Sequence, residues 1–263
     1  MRKFLLIGLV FSSVCAKAQT KEGIIIYEKK VNLHKQFTDP QMQAMMPEYR
    51  VNKYTLAFND SSSLYKAYVE DEAPDPFGGG GGGVRFAGPG DGGDLYKNYN
   101  EGKLFESREM GKTYLIEDSL RKQKWKMTTE TKQILGHNCH KAVAKATRQN
   151  ISFRRVTVDN SSKSTTDTTT QNKGVAEMEI VAWFADDIQS PAGPDAYGGL
   201  PGAILELNVD NSITVFKALE IKNTVTAKDV KAPTKGKKVT RDEFNKIMKD
   251  AFQNSGGSFR TMN

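Results

Sequence analysis

The residues best suited to chemistry lie within four positions of one another, at His137, Cys139 and His140. Thiolate and imidazole groups are ligands that zinc and copper accept. If this segment is extended, His137 and Cys139 share one face and His140 points to the other, because side chains alternate along a strand. At most two ligands then converge, so a metal site needs further ligands from elsewhere in the chain.

Three methionines are candidates for those further ligands. Met42, Met45 and Met46 fall in a short helix predicted from Asp39 to Met46, where residues three or four apart share a face. Thioether sulfur suits Cu(I). The favoured explanation is simpler: Cys139 packs as a small hydrophobic residue, the methionines fill the core and the histidines lie on the surface. Copper or zinc binding is therefore the less favoured hypothesis, and the cofactor is unknown.

The sequence contains no recognisable catalytic motif. Glycines 78 to 83 satisfy G-x-G-x-x-G, but prolines precede the run and no helical pattern follows it, so a nucleotide cradle is not predicted. H-E-x-x-H, G-x-S-x-G and G-x-x-x-x-G-K-S/T are all absent from the sequence. We therefore expect a non-enzymatic protein, and a hydrolase without a known motif is the least favoured class.

The segment Y-G-G-L-P-G-A-I-L-E-L, from Tyr197 to Leu207, contains the candidate binding residues. Pro201 and Gly202 suit the central positions of a type II turn, which predicts a positive φ at Gly202. One interpretation is structural, a tight entry into the following strand, and it is favoured. The other is functional, with Leu200 as an exposed apolar anchor at a loop tip. The candidate binding residues are Tyr197, Gly199, Leu200, Pro201 and Gly202.

Most of the chain shows the alternation of apolar and polar residues that is typical of strands. Such runs cover residues 23–31, 49–59, 63–69, 112–118, 127–134, 142–146, 151–159, 175–185, 203–209 and 213–221, and we expect 142–146 to pair with 151–159. Strands without intervening helices predict an antiparallel sheet. Thr240 and Glu243 form a capping box before an apolar stripe, which predicts a C-terminal helix. The expected fold is mainly β (α+β), a curved antiparallel sheet or open half-barrel with that helix.

The hexamer G-L-P-G-A-I, from Gly199 to Ile204, resembles the signature of the GLPGLI family. Similar segments are Met45–Glu48, Asn59–Tyr65, Ile134–Lys141, Ala182–Phe184 and Lys231–Glu243, so the resemblance covers nearly the whole chain after the N-terminal segment. Ala203 stands where the family name has Leu, and His137 where a Tyr is expected. The resemblance implies an exported Gram-negative envelope protein, often associated with TonB-linked outer-membrane receptor systems, with no established catalytic activity. The strand-rich pattern of the family is also similar to that of lipoprotein carriers, in which an open half-barrel holds an acyl chain.

The N-terminus has the pattern of a secretory signal. Arg2 and Lys3 precede a short apolar run, and Ala16 and Ala18 supply the small residues for cleavage before Gln19. We therefore expect a signal peptide at residues 1–18, a single mature domain at 19–263, and a location in the periplasm or on the periplasmic face of the outer membrane. Val14 does not suit lipidation of Cys15.

Segments of biased composition predict flexible loops and limit the kinds of partner that we expect. Residues 75–94 are rich in glycine and residues 160–173 in serine and threonine, which predicts two flexible loops. Thr168 and Ser119 lie in short sequences that resemble O-glycosylation acceptors. The basic stretch 217–249 lacks a nucleic-acid motif, so we expect no nucleic acid as a partner. The expected partner is an envelope protein such as an outer-membrane receptor, or a lipid or other apolar ligand; the sequence does not fix the oligomeric state.

Overall fold

The structure, a computed structural model, describes residues 20–36, 40–68, 93–151 and 172–254. Its strands are β1 Gly23–Asn32, β2 Tyr49–Phe58, β3 Ser62–Ala67, β4 Leu95–Asn98, β5 Lys103–Glu109, β6 Thr113–Ser119, β7 Lys126–Ile134, β8 His137–Ile151, β9 Asn172–Ala185, β10 Ile204–Val209, β11 Thr214–Lys222 and β12 Lys237–Thr240. Its helices are α1 Leu33–Gln36, α2 Pro40–Met45 and α3 Arg241–Asn254. The predicted signal peptide, Thr168 and most of the two predicted loops lie outside the described residues. In the part described, no helix is long and apolar enough to cross a membrane.

All twelve described strands belong to one sheet, in the order β12-β6-β5-β4-β3-β2-β1-β11-β10-β9-β8-β7. Every neighbouring pair is antiparallel except β12 and β6, which are parallel. The two ends of this order, β12 and β7, do not pair, so the sheet is open. The prediction of a mainly β fold with an open sheet and a C-terminal helix is confirmed.

The sheet is strongly curled because one short connection joins strands from its two ends. β6 is the second strand at one end and β7 is the last strand at the other, ten strand intervals away. In a flat sheet those intervals would separate them by about 48 Å. Only residues 120–125 join Ser119 to Lys126, and that length of chain reaches at most about 25 Å. The sheet must therefore curl until its ends approach, as in an incomplete barrel.

The inner face of the curl carries the main hydrophobic core. Alternation along each strand places one set of side chains inside, and the largest buried ones come from central strands. Fully buried examples are Tyr27 in β1, Phe58 in β2, Ile180 in β9, Leu207 in β10 and Phe216 in β11. The segment between β9 and β10 also contributes buried residues to this core. It is described in detail below.

The opposite face is crossed by the connection from β11 to β12. β11 lies beside β1 and β12 lies beside β6, so residues 223–236 must pass over the strands between them. Val230 in this connection is buried, and Ala232 and Pro233 lie against Phe105 and Leu115. The connection therefore acts as a strap, residues 223–236, on the outer face of the sheet.

Helix α3 is attached to the sheet through a buried ion pair. The predicted capping box forms: Thr240 N donates to Glu243 Oε2 at 2.7 Å, and Glu243 N donates to Thr240 Oγ1 at 3.2 Å. Arg241 then pairs with Glu106 at 2.6 Å and Asp118 at 3.2 Å. Phe244 packs in a small second core with Ile116 and Val239.

Several local expectations are corrected. Strands β4, β5 and β12 were not predicted. β4 and β12 have four residues each, which show little periodicity, and the seven residues of β5, K-L-F-E-S-R-E, do not alternate clearly between apolar and polar. Residues 142–146 and Ile151, which were predicted to belong to two paired strands, lie in one continuous strand, β8, and both pair with β9; residues 152–159 lie outside the described residues. The helix predicted from Asp39 to Met46 corresponds to α2, Pro40–Met45, and the short α1 was not predicted.

Arg241→Ala tests whether the ion pair attaches α3. The side chain of Glu106 is only 7% exposed, and Arg108 also donates to it. Loss of Arg241 therefore leaves a buried carboxylate with one of its two cationic partners, and we expect a loss of about 2 kcal/mol in unfolding free energy. Urea denaturation measures it. The control is Lys103→Ala, which removes an exposed pair with Glu117 and should cost under about 1 kcal/mol. Equal losses in the two variants would contradict this role for Arg241.

Candidate functional site

The G-L-P-G-A-I hexamer lies at the end of a long loop inside the curled sheet. This loop, residues 186–203, joins β9 to β10, and we call it the signature loop. Ala192, Leu200 and Ala203 are buried in the main core. Backbone hydrogen bonds fold the loop back on itself, since Ala203 N donates to Ile188 O and Ile204 N to Ala192 O, both at 3.0 Å. The candidate binding segment is thus part of the interior.

A buried lysine holds the signature loop against the sheet. Lys97 in β4 is 1% exposed, and its Nζ donates to the carbonyl oxygens of Gly193 at 2.8 Å and Tyr197 at 2.5 Å. Burial disfavours the ammonium and lowers its pKa from 10.5 to about 7, although the Asp195 carboxylate opposes this shift. A neutral amine still has two N–H donors, so both carbonyls can be satisfied in either protonation state.

Three further side chains contact polar groups of the loop or of Ile204, the residue that follows it. Trp125, which precedes β7, donates from Nε1 to Gly198 O at 2.9 Å. The Tyr27 hydroxyl in β1 donates to Ile204 O. Lys29 lies 3.7 Å from Asp195 and over the rings of Tyr54 and Phe216. Side chains from strands far apart in the sheet thus converge on one loop.

Burial also fixes the protonation of the nearby phenols. It raises the pKa of Tyr197 to about 12, with the Asp195 charge as a smaller cause. It raises the pKa of Tyr27 well above 10.0. Both hydroxyls are therefore protonated near neutral pH, which suits Tyr27 to its role as a donor.

Two expectations for the signature are wrong. Gly202 does not have a positive φ; the positive values lie earlier, at Gly198 (152°) and Gly199 (82°). Gly202 is required for another reason, because a Cβ there would lie 1.7 Å from the carbonyl oxygen of Ala185. Leu200 is not an exposed anchor, since it is 3% exposed and packs in the core. The type II turn is therefore wrong, and the requirement for glycine at position 202 comes from close approach to the Ala185 backbone.

The His–Cys cluster lies at the start of β8, and the structure divides it between the two faces as expected for an extended segment. His137 Nδ1 contacts the Asp187 carboxylate at 2.9 and 3.0 Å. His140 Nε2 lies 3.2 Å from Asp186 Oδ2. Asp186 and Asp187 are adjacent in the chain, so each histidine has an acidic partner of its own. Cys139 lies between them in sequence and is fully buried.

The thiol of Cys139 is a packing group in this arrangement. Burial, and then the Asp187 charge, raise its pKa from 9.0 to about 12, so the metal-binding thiolate is disfavoured at neutral pH. Within residues 20–36, 40–68, 93–151 and 172–254, no group of three His, Cys, Asp or Glu side chains could hold a metal ion.

The predicted methionine ligands lie at the other end of the sheet. The segment with Met42, Met45 and Met46 follows the end of β1, whereas Cys139 pairs with the end of β9, near the start of β1. A strand as long as β1, with its 10 residues, spans about 33 Å. Met45 is 85% exposed, and His34 contacts the carbonyl of Met46 at 3.1 Å rather than a sulfur. The structure does not bring these groups to the His–Cys cluster.

Sequence reasoning missed the lysine and the tryptophan that hold the loop. Leu95 and Lys97 alternate correctly for a strand, but a lysine on an apolar face is usually a solvated residue. Trp125 was unassigned because it lies in an irregular connection. The amine of Lys97 and the indole N–H of Trp125 reach the carbonyls of Tyr197 and Gly198 only in the folded chain.

Comparison with known proteins finds a match of part of the chain to a family of unknown function, and a similar fold among solved structures. Residues 125–206 match a family described as "Protein of unknown function (Porph_ging)"; the matched segment begins at Trp125 and includes β7–β9 and the signature loop. No curated protein matches the chain.

Among solved structures, two crystal forms of PNGF-II are similar, with 14% identity, TM-scores of 0.50 and 0.51, and 88% of this chain covered. The chain spans about a third of PNGF-II, 34% and 33% of its length, so this similarity shows the fold alone. LprF from Mycobacterium bovis has 8% identity and a TM-score of 0.24 over 83% of this chain and 91% of LprF, which is too low to support an argument.

Gly202→Ala and Gly199→Ala separate close approach from backbone strain. We expect Gly202→Ala to cost more than about 2 kcal/mol, because the backbone of Ala185 must move. Gly199→Ala has open space around the new Cβ and should cost about 1 kcal/mol for its positive φ. Chemical denaturation measures both. The reverse order would show that φ, not contact with Ala185, is the constraint.

Lys97→Met tests the buried amine through the pH dependence of stability. Between the folded pKa of about 7 and the unfolded value, the unfolded chain binds more protons, so wild-type stability should rise with pH, by about 1 kcal/mol per pH unit. The variant should lose this rise. Urea denaturation of both proteins between about pH 7 and 8.5 measures the effect; the variant keeps Cys139 and Tyr197, so the difference between the two profiles cancels their contribution. Parallel pH profiles for the two proteins would show that Lys97 keeps its proton in the folded protein over this range, which would contradict the lowered pKa.

Proposed function

We propose that this chain is a non-enzymatic binding protein of the Gram-negative envelope that captures an extended segment of an envelope partner, such as an outer-membrane receptor, along the edge of β7. The observation that supports this proposal is the open end of the curled sheet. β7 has 9 residues and pairs only with β8 among the described strands. An edge strand presents unpaired backbone groups to which another extended chain can add.

The register identifies which backbone groups are available. Leu135 and Gly136 both have positive φ, 51° and 83°, as a two-residue type I′ hairpin turn requires. The flanking pair, Ile134 and His137, therefore exchanges hydrogen bonds, and bonding alternates from there. Asn138 O accepts from Asp186 N on the β9 side, in agreement with this alternation. The N–H and C=O groups of Thr131 and Gln133 consequently face away from β8.

The usable edge is the second half of β7. Between Met127 and Thr131 the pairing with β8 is irregular, and β7 contains extra residues there. Such a bulge twists an edge away from further pairing. Thr131 to Ile134 are regular and would offer the pairing surface, while Leu135 at the turn is 48% exposed and adds an apolar contact.

The interior of the curl gives less support to an apolar ligand. In lipoprotein-carrier proteins the half-barrel holds an acyl chain, and the resemblance to the GLPGLI family suggested this role. Here the signature loop occupies the inner face, with Leu200 in the core and Lys97 beneath the loop backbone. The envelope location and the accessory role in this proposal rest on the resemblance to the GLPGLI family.

Photocrosslinking in the native host tests the proposal. A photoreactive side chain at Gln133 should give a discrete adduct with an envelope protein, whereas the same group at exposed Lys228 on the strap should not. Thr131→Pro should abolish the adduct, because it removes an outward N–H without breaking a bond to β8. Thr131→Ala, which keeps that N–H, should retain it. An adduct that is insensitive to Thr131→Pro would refute strand addition at β7.

A further inference from the structure

The connection that enters β7 carries an unusual concentration of positive charge. Arg121, Lys122, Lys124 and Lys126 are all exposed, and no acidic residue occurs from Ser119 to Thr129. None of these four side chains forms an ion pair with a described residue. They differ in this respect from the cations on the neighbouring strands.

The acidic residues around this connection are already engaged with other cations. Asp118 pairs with Arg241 and Glu117 with Lys103. On the β7 and β8 side, Glu130 pairs with Lys141 at 2.7 Å. Lys132 in β7 is likewise neutralised by Glu206 at 2.9 Å, and Lys145 in β8 by Glu177 at 3.1 Å. The four cations of the connection are therefore a local excess.

Trp125 fixes the direction in which two of these cations project. Its indole points inward, donating to Gly198 O and packing against the main core. Neighbouring side chains in an extended segment point to opposite sides. Lys124 and Lys126 therefore project away from the core, and both are exposed. Lys126 is the first residue of the edge strand β7, so these cations lie next to the edge, and the anchored indole limits the entropy lost when they bind.

We infer that the segment captured at β7 is an acidic peptide, whose carboxylates pair with the cations of residues 121–126. This inference rests on the proposed strand addition and adds to it the chemistry of the partner. Charge complementarity of this kind steers association and selects among partners that could all supply backbone hydrogen bonds. The basic stretch on the strap is a separate surface, on the outer face of the sheet.

Two synthetic peptides of alternating sequence, T-E-V-E-T-E-V-E and T-Q-V-Q-T-Q-V-Q, are the probes, with affinity measured by fluorescence anisotropy at low salt. The purified protein should bind the Glu peptide about tenfold more tightly than the Gln peptide, and salt should reduce this preference. Replacement of Lys122, Lys124 and Lys126 by Gln should abolish the preference. The matched control replaces Lys228, Lys231 and Lys235 on the strap by Gln; it removes the same number of charges and should leave the preference intact.

The outcomes separate this inference from the proposed function. Equal binding of both peptides that is lost in Thr131→Pro would overturn the acidic preference and support strand addition. Binding of the Glu peptide that survives Thr131→Pro, but is lost when Lys122, Lys124 and Lys126 are replaced, would overturn strand addition and support the acidic preference. The inference would be overturned if neither peptide bound at millimolar concentration. It would also be overturned if the protein bound phosphatidylglycerol vesicles but not the Glu peptide, and replacement of Lys122, Lys124 and Lys126 abolished that binding. Loss of the preference in the strap control would also overturn it, by showing that net charge alone is responsible.

Discussion

The short connection between β6 and β7 is the constraint on which the rest of this structure depends. Residues 120–125 join strands from the two ends of a twelve-stranded sheet, and a flat sheet would place those strands about twice as far apart as that connection can reach. Curling follows from chain length alone. It creates an enclosed inner face, and the signature loop fills that face together with the aromatic and aliphatic side chains of the central strands.

A loop in an interior carries backbone groups that must be satisfied, and this need explains the polar residues found there. The carbonyls of Gly193, Tyr197 and Gly198 accept hydrogen bonds from the side chains of Lys97 and Trp125. A lysine suits the first two because its amine donates to both acceptors whether charged or neutral. The cost of burying its charge appears as the lowered pKa. The conformation of this loop therefore depends on donors from β4 and from the connection before β7.

The same curl produces the surface to which we assign binding. The sheet approaches closure without achieving it, so β7 keeps an edge and the connecting residues cross the opening. Trp125 belongs to both features: its indole secures the signature loop, and its position directs the neighbouring lysines outward. At the other end, β12 is only four residues long and is followed at once by α3, which gives little edge for an added strand. The two ends of the sheet are therefore unequal as binding surfaces.

The sequence by itself determined the features that depend on neighbours within a few residues. Alternation predicted most strands, the opposite faces of Cys139 and His140 followed from the same period, and the pairing of Thr240 with Glu243 predicted the start of α3. These features are local, because strand alternation and helix capping are set by adjacent backbone geometry.

Tertiary structure alone decided the rest of the site. Leu200 is buried, Gly202 meets Ala185, and Lys97 lies beneath residues 193–197, although about a hundred positions separate the lysine from Tyr197. No short sequence pattern encodes such distances. They arise because the sheet order places β6 and β7 at opposite ends while six residues hold those strands together, and the resulting curl determines which side chains meet.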